Sequence, residues 1–174
     1  MKVLAVSGSL RSGSYNTELL RAAAAAAPEG VDVELWDGLA DLPLYDQDLE
    51  ADVPESVRRL RGAWAEAEAI LFATPEYNGS VPGGLKNAVD WASRPRGEAA
   101  LLNKTVAVVG ASTGQFGAVW AQQDLRRILG IAGARVVGDE LPAAKAADGF
   151  GEGVREGLRR TLMALAEAAL PVAA

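Results

Sequence analysis

The sequence predicts an α/β domain built around a parallel β-sheet. Apolar segments of four to six residues recur along the 174-residue chain, and most of them are followed by a polar loop and then by an amphipathic helix. The segment AILFAT at residues 69–74 carries no charge, which is typical of a strand buried on both faces of a parallel sheet. This alternation favours right-handed crossovers within one sheet.

Five strands and five helices are expected in alternating order. The strands are predicted at residues 3–6, 31–36, 69–74, 105–110 and 134–137. The helices are predicted at about residues 16–27, 53–67, 83–92, 118–129 and 154–169. Since no linker or internal repeat divides the chain, we predict a single domain over residues 1–174.

The composition excludes several classes of function. With 17 Lys and Arg against 23 Asp and Glu, the net charge is −6, so no broad basic face is expected for nucleic acid. The sequence has no apolar run of about 18 residues and no signal-peptide pattern, and we expect a cytoplasmic protein without a membrane segment. It has no Cys and no His, which removes thiolate chemistry and the commonest metal ligand and general base. Demanding chemistry must therefore come from carboxylates, Lys, Tyr, Ser or a bound cofactor.

Three loops rich in Gly, Ser and Asn follow the first, third and fourth predicted strands. They read SGSLRSGSYN, PEYNGSVPGG and GASTGQFG. The carboxyl ends of parallel strands share one edge of the sheet, and such folds bind their ligands there. We therefore expect the three loops to form one site.

The first loop predicts a site for an anion. It precedes a helix, whose free N–H groups and positive dipole end favour negative charge. Ser9, Ser14 and Asn16 could donate hydrogen bonds, Arg11 adds a positive charge, and the loop contains no acid that would repel a phosphate. The alternative is an ordinary helix cap at Ser14 or Asn16, but a cap explains neither the arginine nor the missing acids.

Two known phosphate-binding patterns fail in this loop. The dinucleotide fingerprint G-x-G-x-x-G is absent, because the next glycine after Gly8 is Gly13. The Walker A pattern fits both glycines but has Ser14 where it requires a lysine. The remaining ligand class is a mononucleotide with a terminal phosphate.

The loop after the third strand offers a surface for a flat ring. Pro75, the planar Tyr77, Asn78 and Gly79 could lie along such a ring, whose edge atoms would bond to backbone N–H groups. The alternative is a simple turn, since Asn-Gly is a turn dipeptide. Glu76 is either a general base or, as is commoner, a solvated loop carboxylate.

Two further motifs suggest chemistry that the rest of the sequence argues against. Residues 110–114 match the nucleophile elbow G-x-S-x-G, but the hydrolase triad needs a histidine. Ser112 is therefore interpreted as a hydrogen-bond donor in the fourth loop. The acidic run of Asp46, Asp48 and Glu50 is interpreted as a solvated turn or an interface, and no metal site is predicted.

The three loops together resemble the NADPH-dependent FMN reductases, a family that includes bacterial chromate, quinone and azo-dye reductases. The resemblance rests on GSLRSGSYN, TPEYNGSVPGGLKNAVDWASR and VVGASTGQFG, which occur in this order over nearly the whole chain. It implies a flavodoxin-like three-layer sandwich with a five-stranded parallel sheet in the order 2-1-3-4-5. It also implies noncovalent FMN, NADPH or NADH as co-substrate, and a homodimer or homotetramer with FMN near the subunit interface.

The same resemblance implies a role for each loop residue. The residues that match the phosphate loop are Ser9, Arg11, Ser14 and Asn16, those that match the segment along the isoalloxazine are Pro75, Glu76, Tyr77, Asn78 and Gly79, and those that match the loop by its pyrimidine side are Ser112 and Gly114. The acidic connector at residues 45–48 resembles, more weakly, a segment used at the subunit contact.

The predicted function is an FMN-dependent NAD(P)H oxidoreductase that works by ping-pong hydride transfer. Its expected electron acceptors are small molecules: a quinone, an azo compound, a metal oxyanion or free flavin. Because a flavin accepts hydride at its own N5, no side chain is expected to be essential as an acid or base. The alternative is a flavodoxin-type electron carrier or flavin-binding module without nicotinamide turnover, and a serine hydrolase acting through Ser112 is a third option.

Overall fold

The computed structural model describes residues 1–169, and this part of the chain contains a six-stranded parallel sheet with helices on both faces. The strands are β1 (Lys2–Ser7), β2 (Asp32–Trp36), β3 (Ala69–Thr74), β4 (Thr105–Ala111), β5 (Arg135–Val136) and β6 (Pro142–Ala143). The helices are α1 (Tyr15–Ala25), α2 (Glu55–Glu66), α3 (Gly83–Ala92), α4 (Val119–Ile131) and α5 (Glu152–Ala169). Residues 170–174 lie outside the described residues, so the extent of the predicted domain stays a prediction.

The strand order is β2-β1-β3-β4-β5, and this confirms the predicted order 2-1-3-4-5 and the flavodoxin-like class. The chain leaves β1 toward β2 and then returns to place β3 on the other side of β1. The ladder between β1 and β3 runs from the Val3–Ala69 pair to the Ser7–Ala73 pair, and the Gly8 N–H donates to the Ala73 carbonyl oxygen at 2.8 Å. The strand order reverses at β1 and β3, and open α/β sheets bind ligands at such a point.

The last edge of the sheet differs from the prediction of one strand at residues 134–137. Only Arg135–Val136 pairs with the start of β4, while Pro142–Ala143 pairs with its end as a separate strand. Val137 and Leu141 still bond to β4, through the Val106 carbonyl oxygen and the Gly110 N–H, so residues 138–140 are the ones that leave the ladder. The buried Gln122 side chain accepts a hydrogen bond from the Leu141 N–H at 2.9 Å. Sequence periodicity could not find β6, because a two-residue strand shows no alternation.

The apolar side chains form one core on each face of the sheet. Helices α2, α3 and α4 cover one face, and Leu60, Leu85 and Leu125 represent them in that core. Helices α1 and α5 cover the other face, through side chains such as Leu19 and Leu162. Within residues 1–169, no helix combines the length and the apolar content that crossing a bilayer requires.

The long connector between β2 and α2 is fastened to α3. The Pro43 carbonyl oxygen accepts hydrogen bonds from Asn87 Nδ2 at 2.8 Å and Trp91 Nε1 at 2.9 Å, and the Tyr45 N–H donates to Asn87 Oδ1 at 2.7 Å. One of its acids also has a local partner, since Glu50 Oε1 accepts from the Tyr45 hydroxyl at 2.5 Å. In residues 1–169, no group of three acidic side chains is placed to hold a metal ion.

Gly117 is expected to be the least replaceable glycine of the loop before α4. Its φ is +55°, and a Cβ there would lie 2.4 Å from the Pro142 carbonyl carbon. Gly117→Ala should therefore lower the free energy of unfolding by about 2–4 kcal/mol, through left-handed strain and overpacking against β6. The matched control is Gly114→Ala, because a Cβ there would have only an ordinary contact at 3.8 Å, with Ser112 Oγ. Urea unfolding of both variants checks this, and equal losses would contradict it.

Candidate functional site

A cleft of about 350 Å³ opens at the carboxyl edge of the sheet, between the loops that follow β1, β3 and β4. It is lined by Ser9, Arg11, Ser14, Tyr15, Asn16, Pro75, Glu76, Tyr77, Ala111, Ser112 and Thr113. The structure thus brings together eight of the residues that the sequence assigned to one site. Asn78, Gly79 and Gly114 lie outside this lining.

The loop after β1 ends in a capped helix N-terminus. Ser14 is the N-cap of α1, and its buried Oγ accepts a hydrogen bond from the Thr17 N–H at 3.2 Å. Because Oγ is the acceptor in this bond, the hydroxyl proton is available to a ligand. The first helical bond runs from the Glu18 N–H to the Ser14 carbonyl oxygen, which leaves the N–H groups of residues 15 and 16 without acceptors in the helix.

Arg11 supplies an uncompensated positive charge at the cleft. Its guanidinium carbon lies 5.1 Å from the centre of the Tyr15 ring, and within residues 1–169 the side chain forms no ion pair. The Tyr15 ring therefore stabilises the guanidinium through a cation–π contact and leaves its positive charge unneutralised. Sequence reasoning missed Tyr15, although it stands inside SGSLRSGSYN and four residues after Arg11.

Asn16 links two of the loops. Its Nδ2 donates to the Ala111 carbonyl oxygen at 3.0 Å, and its Oδ1 accepts from the Ala111 N–H at 2.9 Å. The side chain is buried and lies 95 positions from its partner, so it fastens the start of α1 to the end of β4. The sequence predicted a phosphate donor at this position. The structure leaves one Nδ2 hydrogen for that role, which stays a prediction.

The loop after β3 forms a tight hairpin at the side of the cleft. Asn78 and Gly79 have φ values of +54° and +75°, and the Tyr77 and Ser80 backbones exchange hydrogen bonds of 3.1 and 3.2 Å. Positive φ at both central residues is typical of a type I′ turn. The turn interpretation is therefore correct, and it is compatible with a flat-ring surface because Pro75 and Tyr77 still line the cleft.

Glu76 caps the helix that follows the fourth loop. Its Oε2 accepts a hydrogen bond from the Ala121 N–H at 3.1 Å, in the first turn of α4. The N-cap position of this helix is Ala118, which has no side-chain oxygen, so the carboxylate takes over that task. The structure gives Glu76 a helix-capping role, and the hypothesis of a general base receives no support from it.

The loop after β4 is held against the end of the sheet. The Ser112 N–H donates to the Ala143 carbonyl oxygen at 3.2 Å, and the Ser112 carbonyl oxygen accepts from the Ala146 N–H at 3.0 Å. The positive φ values of this loop lie at Gly117 and Ala118 and not at Ser112, so Ser112 lacks the strained backbone of a nucleophile elbow. Together with the absence of His, this geometry argues against a hydrolase.

The chain is similar to known proteins of one enzyme family. The model of the family described as NADPH-dependent FMN reductase matches residues 1–148. The chain is 50% identical over 130 residues to an NAD(P)H-dependent FMN reductase of Pseudomonas aeruginosa, which covers 74% of this chain and 69% of that protein. It is 40% identical over 131 residues to a quinone reductase of Escherichia coli K12, and this alignment covers 74% of this chain and 69% of that protein.

A solved structure is similar over nearly the whole length of both chains. It is the flavoenzyme NAD(P)H:(acceptor) oxidoreductase of Paracoccus denitrificans, with a TM-score of 0.84 and 32% sequence identity. The match covers 96% of this chain and 98% of the other. An azoreductase of Bacillus anthracis shares the fold at a TM-score of 0.63 and 19% identity, over 97% of each chain.

Replacement of Asn16 should destabilise the folded protein. Asn16→Ala leaves the buried N–H and carbonyl groups of Ala111 without partners, which should lower the free energy of unfolding by about 2–4 kcal/mol. Chemical denaturation checks the value. Ser9→Ala is the control from the same loop, because Ser9 is only partly buried, and the stability of this variant should change by less than about 0.5 kcal/mol. A loss of that small size in Asn16→Ala would show that the link is dispensable.

Proposed function

Because the chain belongs to the NADPH-dependent FMN reductase family, we propose that FMN binds in the cleft between its first, third and fourth loops. The chain is an FMN-dependent NAD(P)H oxidoreductase. One observation carries the assignment of the site: an acid-free loop at a helix N-terminus shares its cleft with an apolar, aromatic wall. That combination suits a ligand with a phosphate at one end and a flat ring at the other.

The first loop fits the phosphate. Arg11 provides a positive charge without a carboxylate partner in residues 1–169, and the Ser14 hydroxyl retains its proton. The unpaired N–H groups at the start of α1 add backbone donors and the positive end of the helix dipole. We assign Ser9, Arg11 and Ser14 to this end, and Asn16 to the wall that keeps the loop in place.

The other two loops fit the ring. Pro75 is buried at the cleft wall and Tyr77 is half-exposed, while Ser112 and Thr113 supply hydroxyl and backbone groups from the opposite loop. The cleft volume of about 350 Å³ lies within the range of roughly 300–1,000 Å³ that is usual for small-molecule sites. Asn78 and Gly79 form the tip of the hairpin, so we assign them to shaping the backbone of Tyr77.

The chain's own residues bind and orient, and they do not need to supply acid–base chemistry. When bound, FMN supplies the redox chemistry, since it takes a hydride from a reduced nicotinamide and returns the electrons to a second substrate. The chain contains no His or Cys, and Glu76, the acid at the cleft, is hydrogen-bonded to α4. We therefore assign no catalytic side chain.

We propose quinones as the physiological acceptor class. Relatives that share 40–44% identity with this chain are named quinone reductases, and a cleft with aromatic and proline walls suits flat apolar oxidants. Azo compounds, metal oxyanions and free flavin are further candidates for the same space.

We also propose that the enzyme is a cytoplasmic homodimer or homotetramer. Leu44 is 82% exposed, although its neighbours Pro43 and Tyr45 are both hydrogen-bonded to Asn87 on α3. Single exposed leucines are common on protein surfaces, and what favours Leu44 as a subunit contact is that its two neighbours are fastened to α3.

Anaerobic mixing of the FMN-loaded protein with NADPH or NADH distinguishes an NAD(P)H oxidoreductase from an electron carrier that does not react with nicotinamides. The enzyme should lose its visible flavin absorbance rapidly and regain it when a quinone is added. A carrier or flavin-binding module would keep its colour when either nicotinamide is mixed in. Stopped-flow absorbance makes the measurement, and photochemical bleaching of the same sample serves as the positive control.

Loss of the Arg11 guanidinium should weaken FMN binding tenfold to a hundredfold, roughly the effect of a charge-assisted hydrogen bond of about 1.5–3 kcal/mol. Fluorescence titration of the apoprotein measures the dissociation constants. Arg11→Ala should leave the affinity for riboflavin, which lacks the phosphate, nearly unchanged. Arg21→Ala, which removes an exposed arginine paired with Glu18 on α1, is the matched control. An unchanged FMN affinity in Arg11→Ala would overturn the phosphate assignment.

A further inference from the structure

Two carboxylates tie the hairpin after β3 to one side of α4. Glu76, just before the hairpin, accepts a hydrogen bond from the Ala121 N–H at 3.1 Å. Ser80, at the other end of the hairpin, donates from its hydroxyl to Asp124 Oδ2 at 2.7 Å. Ala121 and Asp124 are three positions apart and therefore lie on the same side of the helix. The hairpin is held at both of its ends.

The start of α4 depends on this contact. Ala118 occupies its N-cap position with φ +61° and has no oxygen in its side chain. The Ala121 N–H is one of the first four of the helix, which have no carbonyl partner within it. A carboxylate at this position satisfies the donor and also interacts favourably with the helix dipole. Glu76 thus stabilises the helix and the hairpin together.

The second tie lies in a partly buried setting. Asp124 also lies 3.7 Å from the Arg127 guanidinium on the same helix, so its carboxylate is oriented from two sides. Between the two ties, the hairpin has two backbone hydrogen bonds of its own within residues 1–169, both between Tyr77 and Ser80. Helix α4 therefore contributes, together with β3, to fixing the position of Tyr77 at the cleft.

We propose that Glu76 and Asp124 are positioning residues, which clamp the hairpin to α4 and so hold the ring side of the cleft ready for FMN. This proposal rests on the proposed function, because it concerns how that cleft is kept in shape. It assigns a role to Asp124, which lies outside the cleft lining, and it gives Glu76 a role that depends on hydrogen-bond acceptance and not on proton transfer. If the hairpin became ordered only when FMN binds, the loss of conformational entropy would weaken binding. A hairpin that is already ordered before FMN binds should therefore bind it more tightly.

The test compares FMN affinity with hairpin mobility. Glu76→Ala and Asp124→Ala should each raise the FMN dissociation constant by about fivefold to tenfold and speed amide hydrogen exchange at residues 77–80 in the apoprotein. Glu76→Gln and Asp124→Asn keep an acceptor oxygen and should restore most of both properties. Ser80→Ala combined with Asp124→Ala should be no worse than either alone, because both remove the same bond.

Gln123→Ala is the matched control, since this exposed residue lies in the same turn of α4. It should change neither readout. If the wild-type protein binds FMN but both alanine variants bind it with unchanged affinity, or if the amide variants fail to restore it, the clamp is overturned while the FMN site stands. If the wild-type protein does not bind FMN at all, the proposed function fails. In that case the exchange rates alone still show whether the two carboxylates hold the hairpin.

Discussion

The pair of hydrogen bonds between the Asn16 amide and the Ala111 backbone is the contact on which the candidate site depends. It joins the first turn of α1 to the last residue of β4, across β3 and over 95 positions of sequence. Other links extend it: Ser112 bonds to the edge residues 143 and 146, and Glu76 bonds to α4. Three loops that are far apart in the chain therefore form one connected framework around the cleft at the carboxyl edge of the sheet.

Much of the fold could be predicted because its signals are local. A charge-free segment such as residues 69–74 identifies a buried strand, and β3 has those bounds in the structure. The sequence offered an ordinary helix cap at Ser14 or Asn16 as the alternative to an anion site. The structure places Ser14 at the N-cap, and the anion site stays a prediction. The partners of Asn16 and Glu76 were beyond sequence reasoning, because they lie 95 and 45 positions away and are backbone groups that any residue type could provide.

The split of the last strand was missed for a different reason. Residues 142–143 pair with β4 for only two positions, so neither alternation nor β-propensity distinguishes them from a loop. What fixes them is the buried Gln122, which accepts from the Leu141 N–H and donates to the Gly117 carbonyl oxygen at 3.0 Å. A glutamine inside a helical pattern does not indicate that its amide oxygen and its amide nitrogen will bond to two separate loops.

The two borders of the sheet have a consequence for how copies of the chain can meet. An exposed strand border is a template for pairing with another chain, and proteins commonly protect it with charge, proline or short strands. Here β2 carries Asp32 and Glu34, and the opposite border is divided into β5 and β6, with Pro142 in the latter. In the part of the chain that the structure describes, neither border offers a long, uncharged row of backbone groups. Uncontrolled strand-to-strand association is therefore disfavoured, which favours helices and loops as the surfaces through which copies of the chain could recognise each other.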